Sequence, residues 1–181
     1  MGGRPQNTEH SRRSIRLQDY DYSQVGAHFV TVCVQHRECL FVEIVDDEMR
    51  LNDAGQMVER WWGELGNKFP SAEPDEYVVM PNHFHGIIVI VGADLHVRPD
   101  SADICVRPIP EIVQWFKTMT TNEYIRGVKQ HGWTPFPGQF WQRNYYERII
   151  RNEEELHRIR QYIADNPAQW AHDRENPRIA M

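Results

Sequence analysis

The chain has 181 residues, 40% hydrophobic and 25% charged, with 20 Lys and Arg against 26 Asp and Glu for a formal charge of −6. These values suit one globular domain with tails and argue against wholesale disorder, and no apolar run approaches the ~20 residues of a membrane helix, so no membrane association is expected. Three cysteines (Cys33, Cys39, Cys105) without Cys-x-x-Cys spacing argue against a disulfide framework or thiolate zinc site, and an arginine-bearing N-terminus without an apolar stretch points to the cytoplasm.

Residues 1–24 are polar and rich in Arg, Ser and Gln, and read as a flexible arm ahead of a domain over 25–172, with 173–181 as a tail. From His28 the run HFVTVCV is β-branched and aromatic, which predicts a central strand. A shorter apolar run, Leu40 to Val45, is expected as its hairpin partner. The stretch LNDAGQMVERWWGELGNKF predicts a helix capped by Asn52 or Asp53, with Met57, Val58, Trp61, Trp62 and Leu65 at helical spacing and Gly66 or Asn67 at its end. Two strands follow, EYVVMPN and HFHGIIVIVG, interrupted at Pro81-Asn82. Residues 93–110 contain Pro99, Pro108 and Pro110 with little periodicity and predict a connecting loop. A helix is expected over 111–128, then a strand in FWQRNYYERIIR. Asn152 caps a last helix through Ile163, stopped at Asn166-Pro167. The order β-β-α-β-β-α-β-α implies an α+β sandwich with helices mainly on one face of a sheet.

The negative charge is local. Residues 38–76 hold 11 acids and 3 bases, a sum of −8, which leaves the rest of the chain at +2. The remainder can therefore present a basic face, for which Arg143, Arg148, Arg151, Arg158 and Arg160 are the candidates.

Three constellations carry chemistry. In His83-Phe84-His85, residues i and i+2 of a strand share a face, so both imidazoles project together while Phe84 enters the core. Two adjacent imidazoles are half of a divalent-metal site, although alone such a pair is weak evidence and partly exposed strand histidines are the commoner case. Tyr162 and Asn166 lie one helical turn apart. A phenol can attack phosphorus and hold it as phosphotyrosine, and an amide oxygen suits Mg²⁺ or Mn²⁺, but a tyrosine beside an apolar stripe and an Asn-Pro helix stop describe the same residues. Tyr145 and Tyr146, interleaved with Arg143, Arg148 and Arg151 and followed by Arg158, would suit a platform for single-stranded DNA. A strand alternating between core and solvent accounts for at least half of them. Glu147 is a candidate auxiliary acid, base or ligand, or else an exposed partner of a neighbouring Arg. No Gly-rich phosphate loop and no Gly-x-Ser-x-Gly elbow is present.

Taken in order, FVTVCV, YVVMPNHFHGIIVI, FWQRNYYERIIRNEEEL and YIADNP resemble the single-tyrosine HUH transposases, and more closely their REP-associated tyrosine transposase branch, over about His28 to Trp170. The resemblance implies a ferredoxin-like α+β fold with a central antiparallel sheet, and metal-dependent cleavage and rejoining of single-stranded hairpin DNA through a 5′-phosphotyrosine. It puts His83 and His85 on the metal ligands, Asn166 on the third polar ligand and Tyr162 on the nucleophile. Tyr145 and Tyr146 are rival nucleophiles, though a strand position fits the family's helical tyrosine poorly. The resemblance also implies a monomer or homodimer. Two other readings use the same residues: a metal-dependent hydrolase with water as nucleophile, and a domesticated hairpin binder that does not cut.

Overall fold

The computed structural model describes residues 26–45, 48–91 and 107–177. The arm expected over 1–24 lies outside them, as does the expected 93–110 loop apart from its last four residues. In chain order the described elements are β1 (Gly26–Cys33), β2 (Val42–Val45), β3 (Glu48–Leu51), α1 (Asp53–Gly63), α2 (Leu65–Lys68), β4 (Ala72–Val79), β5 (His83–Ile90), α3 (Ile109–His131), β6 (Tyr146–Ile150) and α4 (Glu153–Gln169). Four strands form one antiparallel sheet in the order β4-β5-β1-β6, so the architecture is α+β with a central antiparallel sheet, as expected.

The alternation of side chains along β1 and β5 divides the molecule into two layers. Val30, Val32, Phe84, Ile88 and Ile90 face a large core filled from α1, α2 and α3 by Met57, Trp62, Leu65, Ile112 and Phe116. Phe29 and Ile87 point the other way, joining Ile150 of β6 and Ile159 and Ile163 of α4 in a smaller cluster. Three helices therefore cover one face and α4 covers the other. Because β5 is buried on both faces, its sequence reads as a near-continuous apolar run rather than an alternating one. Gly86 is required within it: a Cβ there would lie 2.5 Å from the Trp62 ring, closer than packed carbon atoms approach.

Asn52 is the N-cap of α1, its Oδ1 accepting from the Gly55 N–H at 3.0 Å. Asn152 does the same for α4, accepting from the Glu155 N–H at 2.9 Å while three glutamates face the positive end of the helix dipole. Each such cap contributes about 1 kcal/mol.

Three expectations are corrected. The run after β1 does not pair with it. Both edges of β1 are taken by β5 and β6, and the N–H groups of Leu40 and Phe41 donate to the Pro81 carbonyl at 2.8 and 3.2 Å. The strand β2 instead forms a separate ribbon with β3, whose residues, Glu48 to Leu51, carry too little apolar signal to announce a strand. The strand expected across FWQRNYYERIIR is limited to β6, with Trp141 making only an isolated bridge to Val34.

The third correction concerns α4, which does not stop at Asn166-Pro167 but runs through Pro167 to Gln169. Pro167 forgoes the hydrogen bond that an N–H there would make to the Ile163 carbonyl and crowds that carbonyl, yet the helix continues past it. Continuing the helix delivers Trp170, whose indole is buried 6.1 Å from the His83 ring.

Candidate active site

The site forms on the α4 face of the sheet, where register sets neighbours. Thr31 of β1 lies opposite His85 of β5 on one side and Tyr146 of β6 on the other, while Cys33 lies opposite His83. The two histidines of the His-x-His pair do share a face, with ring centroids 4.6 Å apart, and Phe84 between them packs against Trp62 and Phe116 in the main core. Neither histidine is partly exposed. His83 is 0% and His85 5% solvent-accessible, and burial pushes the His83 pKa down to about 4. Burial likewise lowers His85 to about 3, with His83 adding to the effect and Asp173 opposing it. Both imidazoles are therefore neutral near pH 7, the form that ligates metals.

The orientation of His83 follows from its neighbour. The Asn82 amide nitrogen donates to two carbonyls, Arg37 O at 3.0 Å and Glu175 O at 2.6 Å, which fixes its Oδ1 toward His83 Nδ1 at 2.9 Å. An oxygen there requires Nδ1 to carry the proton, so Nε2 keeps its lone pair. That Nε2 is buried without a hydrogen-bond partner. The Nδ1 of His85 is engaged by the Thr31 hydroxyl at 2.7 Å, leaving Nε2 as its ligating atom.

Helix α4 brings Tyr162 to the same place. Its ring centroid lies 5.5 Å from that of His85 and 6.0 Å from that of Phe29, which itself stacks on His85 at 5.4 Å. Tyr162 is 46% exposed although it sits among buried residues, so its side chain is half in the cleft and half in solvent. Asn166, one turn on, is buried, its Nδ2 within 3.5 Å of the Tyr162 carbonyl. His85, Tyr162 and Asn166 line one open cleft of about 1140 Å³, together with Thr31, Tyr146 and Arg158. One chain thus supplies both the histidine pair and the tyrosine helix.

The remaining expected residues divide. Tyr145 and Arg148 also line the cleft, but Arg148 is tied to Glu155, whose carboxyl is held below its usual range first by the Arg151 N–H and then by Arg148. Arg143 borders a different depression beside α3, and Arg151 is exposed without lining the cleft. Arg160 is committed to Asp75, which ties α4 to β4. Among the described residues Glu147 neither lines the cleft nor pairs with an arginine. It lies on the opposite face of β6, 3.1 Å from His28 Nδ1 and accepting from the Tyr145 hydroxyl at 3.0 Å.

Sequence reasoning missed Asp173, which lines the cleft with one carboxylate oxygen 3.8 Å from His83 Nε2. It also missed Asn82 and Thr31, the residues that orient the two imidazoles. Asn82 stood beside the motif and was legible there, whereas nothing in spacing connects Asp173 to a histidine 90 positions earlier. Among the described residues no three His, Cys, Asp or Glu side chains are already gathered as a metal-binding group. The donors nevertheless fit a divalent cation, because a buried, unpartnered and correctly protonated imidazole nitrogen faces the cleft side of the sheet.

No family model matches the chain. An uncharacterised protein of Haemophilus influenzae is 38% identical over 173 residues, spanning 91% of this chain and 92% of that one. Among solved structures, a REP-associated tyrosine transposase bound to a REP hairpin is similar with a TM-score of 0.54 and 20% identity, over 87% of this chain and 74% of that one. At that identity the likeness is one of fold.

Proposed function

The chain belongs to one family with the Haemophilus influenzae protein and to the fold family of the REP-associated tyrosine transposase, and on that premise we propose that it cleaves and rejoins single-stranded hairpin DNA through Tyr162. The observation that carries this reading is the contact of Tyr162 with His85 of the His-x-His pair, ring centroids 5.5 Å apart, both lining one open cleft. A structural tyrosine on the apolar stripe of α4 would be buried like Ile159 and Ile163; this one is half exposed against the His85 imidazole.

The Tyr162 oxygen attacks the scissile phosphorus, forming an O–P bond as the P–O3′ bond breaks. The phenol gives its proton to solvent, and the departing 3′ oxygen takes one up to become a hydroxyl. The product is a 5′-phosphotyrosine ester, and attack by a 3′-hydroxyl reverses the step and rejoins a strand. Bound Mg²⁺ or Mn²⁺, held by His83, His85 and Asn166, would supply charge stabilisation to the phosphate. Asn82 and Thr31 hold the imidazoles in place before substrate arrives, so little reorganisation accompanies the chemistry. Exposed Tyr146 offers a stacking surface at the cleft edge, and Arg158 a phosphate contact.

Labelled single-stranded hairpins incubated with the protein and Mn²⁺, then run on a denaturing gel, test the proposal. A protein-linked band that Tyr162→Phe abolishes is expected. Cleavage that persists in Tyr162→Phe would mark water as the nucleophile. Hairpin binding with no cleavage by the wild type would mark a binder.

A further inference from the structure

The three polar groups assigned to the cation, two imidazoles and one amide, carry no charge. Hard divalent cations such as Mg²⁺ and Mn²⁺ favour oxygen donors and are ordinarily held through at least one carboxylate. Of the carboxylates lining the cleft, that of Asp173, on the short segment that follows α4, faces a histidine of the pair.

Asp173 Oδ2 faces His83 Nε2 at 3.8 Å. At that separation no hydrogen bond joins them, and His83 Nε2 is buried without a partner among the described residues. The separation of the two atoms is below twice a metal–ligand distance of about 2.1 Å, so one cation can touch both.

The carboxylate is held in place. Its other oxygen, Oδ1, accepts from the Glu175 N–H at 2.7 Å, and the Asp173 carbonyl accepts from the Asn176 N–H at 3.0 Å. The side chain of Asn176 is buried and donates to the Trp170 carbonyl at 2.9 Å. The Glu175 carbonyl accepts from Asn82, and Arg37 reaches the Arg174 carbonyl at 3.0 Å and the Glu175 carboxylate at 2.9 Å. The Asn82 amide therefore orients His83 with one end and clamps the segment carrying Asp173 with the other. That is the arrangement of outer groups around a metal ligand, applied to both ligands at once.

We propose that Asp173 is an anionic ligand of the divalent cation of this site, on the side that His83 Nε2 faces, with His85 and Asn166 drawn in around the ion to complete the set. The inference rests on the reading that the cleft holds such a cation. Its consequence is that the segment after α4 belongs to the site rather than to a dispensable tail.

Mn²⁺ titration of the full-length protein, followed by the electron paramagnetic resonance signal of the free ion, tests it without DNA or turnover. Asp173→Asn keeps an oxygen able to accept from the Glu175 N–H, so the fold is retained. It should weaken Mn²⁺ binding at least about tenfold, and His83→Gln should weaken it comparably. Asp173→Cys provides a second readout: with Cd²⁺ it should give a thiolate-to-metal charge-transfer absorption absent from the wild type and from Asp173→Asn, which discounts Cys33. Unchanged Mn²⁺ affinity in Asp173→Asn with a loss in His83→Gln overturns this inference alone. No Mn²⁺ binding by the wild type, or none sensitive to His83, overturns the cation reading and this inference with it.

Discussion

Acidification perturbs the candidate site in a way whose sign and size follow from burial. The His83 pKa is lowered from 6.5 to about 4, so the folded protein holds this ring neutral while the unfolded chain protonates it below 6.5. Between those values the unfolded state binds one more proton at this position, and stability rises with pH at about 1.4 kcal/mol per unit. The contribution is complete above pH 6.5, falls as the pH falls, and is lost by pH 4, a total of about 3 kcal/mol across the window. His85, lowered to about 3, acts in the same direction and adds a comparable amount, because both rings stay neutral in the folded protein across most of the window while the unfolded chain protonates both. Urea unfolding of metal-free protein at several pH values between 7 and 4 measures the loss. The double variant His83→Gln, His85→Gln, taken through the same series, subtracts the carboxylates. The difference between the two proteins should shrink by about 6 kcal/mol over the window, about 3 from each ring. A difference that stays constant to within about 0.5 kcal/mol would refute the claim that the imidazoles are buried and neutral.

Other consequences follow from the same contacts. Gly86→Ala forces a methyl against the Trp62 ring and should cost about 1–3 kcal/mol in urea unfolding; a loss below about 0.5 kcal/mol would show that the ring moves aside freely. Asn152→Ala removes the cap of the tyrosine helix and should cost about 1 kcal/mol, while Asn152→Asp should restore most of it. Arg158→Glu should weaken hairpin binding and lower the slope of log affinity against log salt by about 1, since Arg158 borders the cleft; Arg143→Glu, beside a different depression, should change both less.

The parts of this molecule that could be read from sequence are those governed by local pattern. The double-sided burial of β5 is visible in HFHGIIVIVG, the two Asn caps precede their helices, and i, i+2 spacing brings His83 and His85 together. What stayed hidden depends on contacts between distant segments. The pairing of β2 with β3 was decided by β6 occupying the free edge of β1, about a hundred residues downstream. Pro167 reads as a helix stop because propensity is local, whereas the burial of Trp170 against His83 is not. Glu147 looked like an auxiliary group because its neighbours were Arg and Tyr. Strand alternation placed it on the far side of the sheet against His28. Asp173 left no trace at all, since the contacts that tie its segment to the histidine motif, Asn82 to the Glu175 carbonyl and Trp170 against His83, join residues about ninety positions apart. The net charge of −6 likewise says little about DNA, because the acids concentrate in residues 38–76, whereas the cleft is lined by both signs, Arg148, Arg158 and Arg174 with Glu155, Asp173 and Glu175.

The central claim is that Tyr162 becomes covalently joined to DNA. Tryptic digestion after reaction with a hairpin substrate, followed by nuclease trimming and mass spectrometry, locates the attachment directly. The account predicts a nucleotide bound through its 5′-phosphate to Tyr162, in the peptide spanning residues 161–174. Attachment at Tyr145 or Tyr146, or cleaved DNA bearing a free 5′ end and no adduct, would contradict it.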